Sequence, residues 1–121
     1  MHVSRAKKSP SGKPVTFETI RRIAQAYPDI EVGLSYGTPA LKVKGKLLVR
    51  LRDDIDALVI KTTFQRRDEL MASDPETYYI TDHYLRYEWV LVRLSTVRTE
   101  ALENLLQFAY EQSRPAKRPR R

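Results

Sequence analysis

The run from Tyr36 to Leu51, Tyr-Gly-Thr-Pro-Ala-Leu-Lys-Val-Lys-Gly-Lys-Leu-Leu-Val-Arg-Leu, restricts the fold more than any other part of the chain. It reads as a turn, a strand, a tight hairpin and a second strand. Apolar residues alternate with Lys and Arg, so one face of each strand meets a core and the other carries bases. Gly45 suits the hairpin tip, where a positive backbone angle costs glycine little. Two further strands flank this pair. Ile30, Val32, Leu34 and Tyr36 alternate with Glu31, Gly33 and Ser35, and Leu58 and Ile60 alternate with Val59 and Lys61. The acidic link Asp53-Asp54-Ile55-Asp56 joins the third and fourth strands.

Two long helices bracket these strands. The first is expected to start at Thr16 as N-cap, with Glu18 near the positive helix end. Phe17, Ile20, Ile23, Ala24 and Tyr27 share one face, and Pro28 ends the run. The last spans about 99–112, with Ala101, Leu102, Leu105, Leu106, Phe108 and Ala109 as a broad apolar stripe. A stripe of that width needs a sheet to cover. Between them lie a short helix around 65–72, an extended piece near 78–81 and a strand over 87–94. That strand puts Val90, Val92 and Leu94 on one face and Trp89, Leu91 and Arg93 on the other.

The chain has 121 residues and a net charge of +7. The charge is concentrated at the ends. Residues 1–14 and 114–121 hold nine of the 22 bases and no acid, and are read as disordered basic arms. Residues 15–113, read as one domain, carry the remaining 13 bases and all 15 acids. The high pI therefore belongs to the arms and does not by itself make the body a DNA binder. No stretch approaches the roughly 18 apolar residues of a membrane span. Cysteine is absent, which excludes disulfides and thiolate chemistry and fits a reducing cytoplasm.

If both long helices cover one face of the sheet, the other displays Lys42, Lys44, Arg50, Arg52, Lys61 and Arg93 around Trp89, with Lys46 at the hairpin tip. Bases around an aromatic platform suit a polyanion. The plainer reading is a solvated polar face whose lysines discourage edge pairing. His83, between Asp82 and Tyr84, is better read as a structural loop histidine than as a proton-transfer group, because no companion nucleophile is marked. Asp53, Asp54 and Asp56 lack the glycine and downstream Glu of a calcium loop and read as a turn. Tyr36-Gly37-Thr38-Pro39 is a fixed turn rather than a phosphate cradle. The expectation is therefore no catalytic residue, no metal and no cofactor.

The order of these pieces resembles the MmcQ/YjbR-like family of small bacterial proteins. The resemblance is carried by a helix ending in Tyr27-Pro28, Glu31, Tyr36-Gly37-Thr38-Pro39, Leu41-Lys42-Val43 and Gly45-Lys46. It continues through Thr81-Asp82-His83-Tyr84, Trp89-Val90-Leu91-Val92-Arg93-Leu94 and a closing Leu-rich helix ending in Ala109-Tyr110. It covers about residues 16–113. It implies an α+β, frataxin-like (CyaY-like) two-layer sandwich, with N- and C-terminal helices packed on one face of an antiparallel sheet. It also implies DNA as the class of partner. Frataxins line the first helix with carboxylates, whereas this one has Glu18 followed by Arg21 and Arg22, so an iron role is disfavoured.

The leading expectation is a non-enzymatic DNA-binding module of low specificity. Lys42, Lys44, Lys46, Arg50, Arg52, Lys61 and Arg93 contact phosphates and Trp89 stacks. The alternatives are a protein-interaction or homodimerisation domain using Trp89 and Leu91, and a small-molecule pocket near Tyr36, Pro39 and His83.

Overall fold

The first helix begins where Thr16 caps it. Thr16 Oγ1 accepts from Glu18 N at 3.1 Å, and Thr19 Oγ1 accepts from Thr16 N at 3.1 Å. Two orphan donors of the first turn are thus satisfied. The computed structural model, which describes residues 14–113, runs this helix (α1) over Phe17–Ala24. It ends a turn before Pro28. Six strands and two more helices follow: β1 Ile30–Ser35, β2 Thr38–Val43, β3 Lys46–Arg52, β4 Ala57–Lys61, α2 Phe64–Ser73, β5 Tyr78–Tyr79, β6 Trp89–Arg93 and α3 Thr99–Ser113. A single 3-10 turn, Asp82–Tyr84, lies between β5 and β6. The basic arms expected over 1–14 and 114–121 lie outside the described residues, Pro14 apart.

The sheet is antiparallel throughout, in the order β1-β2-β3-β4-β6-β5. Its first three strands are joined by two tight hairpins. Tyr36 and Gly37 (φ 53 and 80) make the first turn, and Lys44 and Gly45 (φ 51 and 80) the second. Two successive positive φ angles define the type I′ turn, whose twist matches that of the strands it joins. Pro39 is tolerated on an interior strand because pairing of β2 with β3 begins only at Ala40↔Arg50.

α1 and α3 pack against each other and cover one face of the sheet, giving a two-layer α+β sandwich. Ile20, Leu102, Leu105 and Leu106 from the helices meet Leu41, Val43, Val49, Leu58, Ile60, Val90 and Val92 from the strands. Tyr27 and Tyr110 rings meet at 4.7 Å, and Tyr110 Oη donates to Asp29 Oδ2 at 3.0 Å, which ties α3 to the start of β1. The strand phase deviates from simple alternation in β3. A register break between Leu41 and Lys42, opposite Leu47–Val49, leaves Leu48 fully buried in the core and turns Leu47 to the opposite face. Such a bulge shifts the side-chain phase by one. Unbroken alternation along β3 would instead put Leu47 inward and Leu48 outward.

Edge strand β1 also differs from expectation. Ile30 packs on the core, but Val32 is 56% and Leu34 64% exposed. Both share a face with core residues across the pair, Val32 opposite Leu41. The helical layer ends short of this corner.

At the other edge, Tyr78 is buried in the main core. Burial, with a smaller push from the Asp74 carboxylate, holds its hydroxyl above the ordinary tyrosine value of 10.0. The folded state thus favours the neutral phenol, so this stabilisation is complete below pH 10 and is lost as pH rises through the raised value. Melting temperatures followed by circular dichroism from pH 8 to 11 are expected to fall more steeply for the natural chain than for Tyr78→Phe. Parallel curves would contradict this.

Candidate nucleic-acid interface

Strand alternation brings the face away from the helices a row of bases. Register places Arg52, Ala57 and Arg93 in one row across β3, β4 and β6, and Arg50, Val59 and Leu91 in the next. Lys61 pairs with Trp89. Among the described strand residues on this face, Glu31, opposite Lys42, is the only acid.

No helix of the long pair covers this face, but it is not fully open. The segment after β5 folds back across it. Tyr84 lies on Val59 and Leu91, all three buried, with Tyr79, Ile80 and Trp89 packed around them. The fold-back is held from behind by Arg67 of α2, which is 5% exposed. Its Nη1 donates to the carbonyls of Tyr84 (3.1 Å), Tyr87 (2.7 Å) and Trp89 (3.3 Å), and its Nη2 to that of Leu85 (3.2 Å). A guanidinium suits this task because its fork of donors reaches several carbonyls at once. Glu88 fastens the same segment to α2: its Oε2 accepts from Phe64 N, the first turn of that helix, at 3.2 Å.

A groove of about 770 Å³ remains between the fold-back and the first hairpin, lined by Tyr36, Arg50, Arg52, His83, Tyr87 and Trp89 among others. Tyr36 stands over the Arg50 guanidinium at 5.0 Å, and the Lys61 ammonium lies 5.6 Å from the centre of the Trp89 ring. Arg50 Nε is buried with no hydrogen-bond partner, and no carboxylate pairs with Arg50, Lys42, Lys46 or Lys61 among the described residues.

The eight predicted contact residues therefore divide. Arg50 and Trp89 line the groove, Lys61 lies beside it against the Trp89 ring, and Lys42 lies further along the same face, near β1. Lys46 is exposed at the start of β3. Lys44 is not on the face: it occupies the hairpin turn, at φ 51. Arg52 reaches the groove but is engaged, donating to both oxygens of Asp54 (2.9 and 2.7 Å) and to Tyr84 Oη (3.0 Å). That contact holds the Asp54 carboxyl below its usual range, with only a small further effect from Arg50. Arg93 is engaged as well, over the Tyr79 ring at 4.4 Å and donating to Glu76 O at 2.8 Å. Leu91, expected in an outward apolar spot beside Trp89, is fully buried under Tyr84.

Of the three residues proposed for a small-molecule pocket, Tyr36 and His83 line the groove. His83 is exposed and sets its ring edge-on to Tyr84 at 4.8 Å. Among the described residues no three His, Cys, Asp or Glu come together as metal ligands. None of the described helices is long and apolar enough to cross a membrane.

Sequence reading missed Arg67, Tyr84 and Tyr87. Arg67 had no usable signal, because its partners are backbone carbonyls. The Arg52–Asp54 pair, two residues apart, was within reach of it.

An antiparallel sheet with both terminal helices on one side and a walled, cation-bearing groove on the other makes this a small two-layer α+β sandwich. The chain belongs to the YjbR family, whose model matches residues 25–112. Its fold is similar to that of the Deinococcus radiodurans protein DR2400, a DUF419-domain protein. The two are 25% identical, with a TM-score of 0.68 over 79% of this chain and 76% of that one. No curated protein matches the chain significantly.

Proposed function

We propose that this protein is a non-enzymatic DNA-binding module that contacts phosphates through the groove face, assisted by its two basic arms. The observation that carries this reading is the pair of uncompensated cations, Arg50 and Lys61, each set against an aromatic ring at the groove. A half-buried guanidinium without a carboxylate is costly unless an anion completes it. The resemblance to a family usually described as DNA-binding supports the same partner, and the reading takes the chain as bacterial and frataxin-like in layout, as that resemblance implies. The lack of cysteine fits a reducing cytoplasm. Sequence is not read in this picture, since among the described residues neither α1 nor α3 lies on the groove face.

The test is a binding titration of the full chain and the Arg50→Glu/Lys61→Glu variant at low and high salt. The variant is expected to bind DNA more weakly, with a salt slope smaller by about one per lost phosphate contact. If it binds like the natural chain, the arms alone carry the affinity and the face has no part.

A second reading, self-association, is favoured by the free edge of β1 with its exposed Val32 and Leu34. Trp89, on β6, lies away from that edge. An unpaired strand edge with alternate apolar residues is a template for pairing. Light scattering across a concentration series is expected to show a larger species that Val32→Lys abolishes. A monomer at all concentrations would remove this reading.

A further inference from the structure

Two features of the groove are unexplained by stability. Tyr36 occupies the first turn position of β1–β2 at φ 53, where Asn, Asp or Gly is favoured and a bulky residue is strained. Its ring is 89% exposed, so no burial offsets that cost. What the strained turn achieves is to hold an aromatic ring over Arg50 at the groove edge. Strain kept at such a place is a pointer to function. The second feature is Arg50 itself, whose Nε is buried and unpaired among the described residues.

We infer that the groove seats one unstacked nucleotide of single-stranded DNA, its base against the rings of Tyr36 and Trp89 and its phosphate on Arg50 and Lys61. This rests on the reading of the face as a DNA contact and adds that the strand must be single. A duplex hides the flat faces of its bases in the stack and offers a convex wall of phosphates. The Arg67-held fold-back and the first hairpin make this site concave. Its volume of about 770 Å³ suits a small ligand rather than a helix of DNA. Stacking on aromatic side chains is sequence-tolerant and is worth roughly 5- to 150-fold in affinity per base.

Trp89 is the chain's single tryptophan, so its emission reports the groove and is not changed directly by binding at the arms. The full chain is titrated with an oligothymidine strand, an abasic strand of equal length and charge, and a duplex. The thymidine strand is expected to quench Trp89 and to bind at least about fivefold more tightly than the abasic one. Tyr36→Asn, which places the favoured Asn-Gly pair in the turn, is expected to raise Tm by a few degrees while reducing that advantage. Equal binding of all three ligands with unchanged emission, still weakened by Arg50→Glu/Lys61→Glu, would overturn the single-strand seat and leave the face reading intact. Binding indifferent to that double variant would overturn both.

Discussion

Replacing Arg67 with Ala is expected to lower stability by about 3 kcal/mol, near the upper end for a single side chain. The substitution removes four hydrogen bonds to the carbonyls of Tyr84, Leu85, Tyr87 and Trp89. Bonds from a charged donor are worth more than neutral ones, and carbonyls left dry and unpaired add to the loss. For a domain of this size that corresponds to a Tm lower by roughly 12–24 °C. Lysine is a poor substitute, since one ammonium lacks the fork that reaches four carbonyls. The loss should begin locally: amides of 84–89 should exchange faster, and Trp89 emission should shift to the red as the fold-back loosens. Arg22→Ala, at a side chain 69% exposed, supplies the control and should change little. A loss below about 1 kcal/mol for Arg67→Ala, with unaltered Trp89 emission, would show that the fold-back holds without its clasp.

The second large effect lies on the opposite side of the sheet. Leu106 of α3 is fully buried between the helical layer and the strands. Leu106→Ala is expected to cost about 3 kcal/mol, combining lost burial with the cavity left behind. Leu34→Ala, at a side chain 64% exposed on β1, should stay within about 0.5 kcal/mol. Thermal denaturation of the two variants therefore tests which leucines the helices cover. Equal losses would mean that α3 does not lie where the packing places it.

Much of this arrangement was legible from spacing alone. Leu58 and Ile60 face the helices while Val59 and Lys61 face away, as period-two alternation requires. Thr16 caps the first helix, and α3 shows its stripe. The Leu47/Leu48 inversion was hidden, because a bulge is a property of two strands in register and neither strand's pattern reveals it. The groove was hidden for a related reason. Its wall is fixed by a side chain bonding to backbone, and α2 in isolation presents Arg67 as one more polar position on a helix with few apolar residues. Tyr36-Gly37 lacked the Asn-Gly signature of a type I′ turn, so it read only as a fixed turn over 36–39. The row of bases on the outer face was visible. Which of them were already engaged was not, since Arg52 and Arg93 find their partners through the β3–β4 turn and the chain before β5.

In the proposed function, DNA is met by the groove face and not by the arms alone. Backbone-amide and tryptophan-indole NMR of the full chain, titrated with a short DNA strand, tests it most directly. The largest shifts are expected at Tyr36, Arg50, Tyr87 and the Trp89 indole, which line the groove, and at Lys61 beside Trp89, residues gathered at one place only in the folded protein. Shifts confined to 1–13 and 114–121, with the groove signals unmoved at saturation, would contradict it.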